Sequence, residues 1–144
     1  MNATLLIGRK PMPVDEYECG SCGVMFSTPL FDISSASEQM IDTPEKSYPF
    51  EVDIRGSMGL APFCSSVCRD KGRIAIMKAE GVPIPAERPV YEPVEFCAIC
   101  NGSVDMHEWH LTFTESTIHD SGQVDDVDYL AVVCPSCESK LLKP

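Results

Sequence analysis

Trp109, Leu111 and Phe113 alternate with His110, Thr112 and Thr114, the period of two that a β-strand with one buried face requires. The alternation predicts that the first three side chains are buried and the second three meet solvent, with His107 on the Trp109 face. Tyr129 to Val133 reads as a second strand, and the polar, acidic stretch Ser116 to Asp128 between them as a loop. Earlier, Val24, Phe26, Leu30, Phe31 and Ile33 cluster as β-formers. Strand-like alternation resumes at Pro49 to Ile54, and the polar segment Ser34 to Ser47 reads as a surface loop. A helix follows Cys64, with Ser65 or Ser66 near its start and Gly81 just past its end. Val67, Ile74 and Met77 are expected on one face of it, and Arg69 and Arg73 on another.

Eight cysteines punctuate these elements as four short pairs: Cys19 with Cys22, Cys64 with Cys68, Cys97 with Cys100, and Cys134 with Cys137. Disulfides would need an oxidising compartment, and short Cys-x-x-Cys loops are not their usual spacing. Four thiolates set tetrahedrally about 2.3 Å from the ion suit Zn2+, so eight imply two structural zinc sites. Sequential pairing gives Cys19, Cys22, Cys64 and Cys68 one ion and Cys97, Cys100, Cys134 and Cys137 the other. A cross-brace would join the first pair to the third. Four prolines in the stretch from Gly81 through Pro93 read as an extended, semi-rigid linker, and the same knuckle-then-pair order recurs on each side of it, which favours sequential pairing. The expected fold is a small α+β protein of two consecutive treble-clef-like zinc-binding units, each a knuckle, a β-hairpin and a helix. The units are residues 1–81, with an N-terminal arm, and 95–144, joined by the linker 82–94.

The order CGSCGVMF, then PFCSSVCRDKG, over residues 17 to about 80 resembles treble-clef zinc fingers of the FCS, MYM and TRASH type, with an aromatic before Cys-Ser-x-x-Cys and a basic helix after it. That resemblance implies a knuckle on the first pair and a helix capped by the second. The second half, FCAICNGSVDMHEWHLTF and YLAVVCPSCESKLLKP, is similar to the four-cysteine scaffold of HNH nucleases. That likeness implies His110 as a general base. Trp109 stands where the family has Asp or His, Tyr129 where it has Asn, and Glu138 where a metal-binding His belongs.

Charge bears on function next. The net charge is −11, and zinc on deprotonated thiolates would take it to about −15. From Pro89 to Ser139 there is no Lys or Arg against ten acids, a poor surface for phosphate. The leading expectation is therefore a non-enzymatic adaptor or regulator that presents an acidic surface to a basic partner protein, one that itself handles nucleic acid being a fitting kind. Behind it stand a divergent HNH-type metal-dependent nuclease using His110, and a nucleic-acid-binding finger using Arg69, Lys71, Arg73 and Lys78 of the first helix. That helix also reads as a solvated face that complements the acidic second half. Trp109 is expected as the core anchor of the second unit, and His107, His110 and His119 stand as the alternative of a third metal site, behind the reading of ordinary strand and surface histidines. No apolar run approaches the roughly 20 residues of a membrane span. No basic region precedes Leu5 to Ile7, so a cytoplasmic or other reducing location is expected.

Overall fold

The computed structural model describes residues 16–41 and 51–141. In chain order the elements are β1 (Tyr17–Glu18), β2 (Met25–Phe26), β3 (Leu30–Ile41), β4 (Glu51–Phe63), α1 (Ser66–Glu80), β5 (Val94–Phe96), β6 (Ser103–Asp105), β7 (His110–Ile118), β8 (Val124–Val133) and α2 (Pro135–Leu141). The two-stranded ribbons β1-β2 and β5-β6 carry the first cysteine pair of each half. The long hairpins β3-β4 and β7-β8 join in one antiparallel sheet of order β4-β3-β7-β8. The protein is thus a small α+β molecule with two four-cysteine groups, one in each repeat of ribbon, hairpin and helix.

The repeat extends to the strand register. Ile33 pairs with Ala61 and Ser34 with Gly59, so Leu60 bulges from β4; Phe113 pairs with Ala131 and Thr114 with Tyr129, so Leu130 bulges from β8. The two bulges fall at the same place relative to the cysteine that ends each hairpin. Where β3 meets β7, Ser34 pairs with Thr114, its own counterpart in the other half, and the two hydroxyls lie 3.2 Å apart. The hairpins are therefore related by an approximate two-fold axis through that pair. Ile33 and Phe113 flank the axis and are both buried, as are Ala61 and Ala131.

Two expected loops are strands. Ser34 to Ile41 lies inside β3, with the remainder of the predicted loop outside the described residues, and Ser116 to Asp128 is divided between β7, a turn at 119–123 and β8. Apolar periodicity does not register β3 because the strand is held by ladders on both sides and its polar side chains bond across to β7 and to the turn before it. Ser116 Oγ donates to Asp32 Oδ1 at 2.9 Å, and Gln39 Nε2 to the His107 carbonyl at 3.0 Å. The burial predicted along β7 is also revised. His110 and Thr112 are fully buried beside Phe113, while Leu111 and Trp109 are only half-buried. An interior strand covered on both faces does not sort its residues by polarity. Trp109 is no core anchor; its ring lies under the Arg55 guanidinium, 4.4 Å from the centroid.

Helix α1 starts at Ser65, whose Oγ accepts from the Cys68 N–H at 3.1 Å, the N-cap bond that satisfies an orphan donor. It ends at Gly81 with φ 80°, where the Gly81 and Val82 amides donate back to the Lys78 and Met77 carbonyls. That is the left-handed cap glycine suits. The expected apolar face divides. Met77 is buried, whereas Val67 is 60% and Ile74 72% exposed, because Met77 lies about 80° round the helix from Val67.

The inward face of α1 carries arginines. Arg73 makes two bonds to the buried carboxylate of Glu115 on β7, at 2.8 and 2.9 Å. Arg69 approaches the same group at 3.6 Å and Arg88 at 3.4 Å. Arg69 also donates to the Ser116 carbonyl at 2.8 Å and lies over the Phe31 ring. Of the readings of this basic helix, complementing the acidic second half fits these contacts for Arg69 and Arg73. Lys71 and Lys78 remain exposed. The segment after the helix also packs down: Val82 and Tyr91 are buried, and Glu95 accepts the Val90 and Glu92 amides at 3.1 and 2.8 Å.

Candidate metal centres

Each ribbon is a tight turn around its first cysteine. The Cys19 N–H donates to the Val24 carbonyl and the Gly23 N–H to the Cys19 carbonyl; likewise Cys97 donates to Gly102 and Asn101 donates to Cys97. The fourth residue after each first cysteine has positive φ, Gly23 at 78° and Asn101 at 63°, a conformation that glycine and asparagine tolerate best. Each turn is then fixed to its hairpin by one bond from the residue after that cysteine, Gly20 N–H to Pro62 O at 2.8 Å and Ala98 N–H to Val132 O at 2.9 Å. Both acceptors precede the hairpin cysteine by two residues. This bond delivers the first pair to the second.

The second pair sits at a helix start in both halves. Cys64 and Cys68 bracket the Ser65 cap of α1. Cys134 precedes Pro135 of α2, a first-turn position that loses nothing by lacking an N–H, and Cys134 O accepts from Glu138 N at 2.9 Å. A phenyl ring completes the first site: Phe63 is fully buried, and a Cβ on Gly72 of α1 would stand 2.5 Å from its Cε1, one on Gly20 3.3 Å from it. The aromatic before Cys64 is thus a wedge between turn and helix. Val133 takes that place in the second half.

Two groups result, Cys19, Cys22, Cys64 and Cys68, and Cys97, Cys100, Cys134 and Cys137, the four sulfurs of each lying within 4.8 Å of one another. This is the sequential pairing. Sulfur separations are 3.8 Å for Cys22–Cys64 and for Cys64–Cys68, and 3.9 Å for Cys100–Cys134. A disulfide is about 2.05 Å. Tetrahedral bonds of about 2.3 Å to one ion give an edge of about 3.8 Å, so the donor sets fit a four-thiolate metal site and leave no position for a water or substrate.

Amide N–H groups aim at the sulfurs, as anionic thiolates require. Ser21 and Cys22 donate to Cys19 Sγ at 3.5 Å, Ile99 and Cys134 to Cys97 Sγ at 3.4 Å, Gly102 to Cys100 Sγ and Cys137 to Cys134 Sγ at 3.4 Å. Burial pushes the Cys19 and Cys97 thiols up, but these amides outweigh it and bring both to about 6. Burial, then the neighbouring sulfurs, push Cys64 and Cys137 to about 12. Four sulfurs this close cannot all carry charge until a cation neutralises them.

The histidines do not converge. His107 Nδ1 lies 3.3 Å from Asp105 and His119 Nε2 2.8 Å from Asp125, while His110 is buried in the sheet; among the described residues the only metal-competent groups are the two cysteine sets. His110 is also no accessible base. Its Nδ1 lies 2.7 Å from the Glu108 carbonyl, so Nδ1 carries the proton and Nε2 is a lone pair facing inward. Burial holds its pKa below the usual value. Glu38, its cross-strand partner, and Tyr91, whose ring centroid is 6.2 Å away, are raised by burial. Tyr91 offsets part of the rise at Glu38, and Glu38 adds to the rise at Tyr91. Glu38 Oε1, Tyr91 OH and His110 Nε2 all lack a protein partner. Sequence reasoning did not find this cluster, because its members are far apart in the chain.

The fold and sites define a small protein with two closed tetracysteine metal centres. No protein-family model matches the chain, and neither a curated protein nor a solved structure matches it.

Proposed function

We propose that the protein holds two structural Zn2+ ions and acts as a non-enzymatic adaptor or regulator in the cytoplasm or another reducing compartment. Its first half is read as a finger of the FCS, MYM and TRASH type. The observation that carries the reading is the closure of both centres: four sulfurs complete a tetrahedral ion, so the metal stabilises and does not react. The surface offered to a basic partner is the β7–β8 turn and outer edge, where Asp120, Asp126 and Asp128 are exposed and Asp125 half-exposed, with β8 terminating the sheet. Acids on an edge strand deter sheet-to-sheet pairing and steer a cationic protein onto it. Partners that handle nucleic acid have such basic surfaces.

The test measures binding of zinc-loaded protein to a lysine-rich probe such as polylysine, alongside a variant with Asp125, Asp126 and Asp128 changed to Asn. Salt-sensitive binding that weakens at least about tenfold in the variant supports the adaptor. Equal binding by both proteins counts against it. Metal-dependent nicking of plasmid DNA that His110→Ala abolishes would replace it with a nuclease.

A further inference from the structure

An adaptor needs a second surface, and the exposed side of α1 differs from the rest of the molecule. Val67, Lys71, Ile74 and Lys78 follow one another at spacings of four, three and four residues, which places all four on one stripe. All are exposed, Ile74 at 72%. A groove of about 650 Å3 opens beside Ile74, its floor formed by Met77, Val82 and Ile84 and its rim by Lys78, Arg73 and Arg88. Arg73 also binds Glu115 and Asp70, which fixes the inner rim. Among the described residues Lys78 makes no ion pair, and the one ion pair of Arg88 is its 3.4 Å approach to Glu115.

Charge selects the occupant. In a chain of net charge −11, the exposed cations Lys71, Lys78 and Arg88 gather at this stripe and groove, while Arg69 and Arg73 turn inward to Glu115. Aliphatic side chains between the outward lysines favour a partner with apolar groups interleaved with anions. Nucleic acid would lay phosphate against Val67 and Ile74 without gain, and no aromatic ring lines the groove to stack a base. We propose that this stripe and groove bind an acidic, aliphatic segment of a partner protein, in the helix-in-groove mode. Its aliphatic side chains enter between Ile74 and Ile84, and its carboxylates meet Lys71, Lys78 and Arg88. The surface is separate from the β8 edge, so the variants of one leave the other intact.

The experiment titrates the 144-residue, zinc-loaded protein into a fluorescent four-turn synthetic peptide of Leu and Glu, with leucines at helical spacing. Two control peptides carry Lys for Glu, or Ala for Leu. Ile74→Glu and Lys78→Glu alter only exposed side chains, and zinc content with far-ultraviolet circular dichroism verifies their folding. The proposal expects the Leu/Glu peptide to bind, both controls to fail, and each folded variant to weaken binding at least about tenfold. It is overturned if the Lys peptide binds equally well, if both variants bind like wild type, or if a DNA duplex binds the stripe more tightly than the peptide.

Discussion

Gly72→Ala sets two effects of opposite sign against each other. In a helix interior alanine is favoured over glycine by about 1 kcal/mol, so propensity alone predicts a gain. The new Cβ, however, would stand 2.5 Å from Phe63 Cε1 and 2.8 Å from Cζ, far inside the ~3.5 Å of ordinary carbon contact. The ring has little room to shift, because it is fully buried, Gly20 also lies close to its Cε1 and Cζ, and Cys64 tethers it to the metal site. Overpacking of this kind costs about 1–3 kcal/mol, and a clash with two ring carbons belongs at the upper end. The net expectation is a loss of about 2 kcal/mol, with weaker metal retention at the first centre and none at the second. Urea unfolding at fixed, saturating free zinc measures it. Gly56→Ala is the control, since nothing lies within 4 Å of its Cβ, and it should change stability by less than about 0.5 kcal/mol. A Gly72→Ala protein as stable as wild type would refute the wedge role of Phe63.

Three further outcomes follow from the same contacts. Glu115→Gln leaves three arginines facing a neutral amide and should cost about 3 kcal/mol or more in the same urea assay; an effect below about 1 kcal/mol would show that the cluster does not join α1 to β7. His110 has a depressed folded pKa, so below about 6.5 the unfolded chain takes up a proton that the folded chain refuses. Its contribution is present above that pH and lost as the pH falls, so wild type should lose more stability than His110→Gln between pH 7 and 5; parallel profiles would contradict the burial. A strong zinc chelator should abolish cooperative unfolding, read by circular dichroism, because structural zinc supplies on the order of 10 kcal/mol; full retention of the folded signal would mean the core stands alone.

Much of the metal chemistry was legible in the chain because ligand spacing is local. Two or three residues between cysteines, glycine beside the first pair, Ser65 before the helix and Gly81 after it each act within one turn of backbone. The sheet was less legible because its determinants are pairwise and distant. Ser34 to Ile41 has no apolar period, yet it forms an interior strand once β4 and β7 saturate its backbone and Ser116 answers Asp32. His110 looked exposed because alternation assumes one wet face, and β7 has none over that length. Arg69 and Arg73 were visible as charge, but their partner Glu115 lies more than forty residues away and carries no local signal. The two-fold relation of the hairpins rests on bulges at Leu60 and Leu130, which composition does not mark.

The central claim is two closed four-thiolate zinc centres paired in sequential order. Metal analysis of freshly purified protein, by elemental mass spectrometry with native mass measurement, tests it most directly. Two zinc ions per chain are expected, falling to one when Cys22 and Cys64 are both changed to Ser, and likewise when Cys100 and Cys134 are. Iron in place of zinc, fewer than two ions in the wild type, or loss of both ions from either double variant would contradict the account.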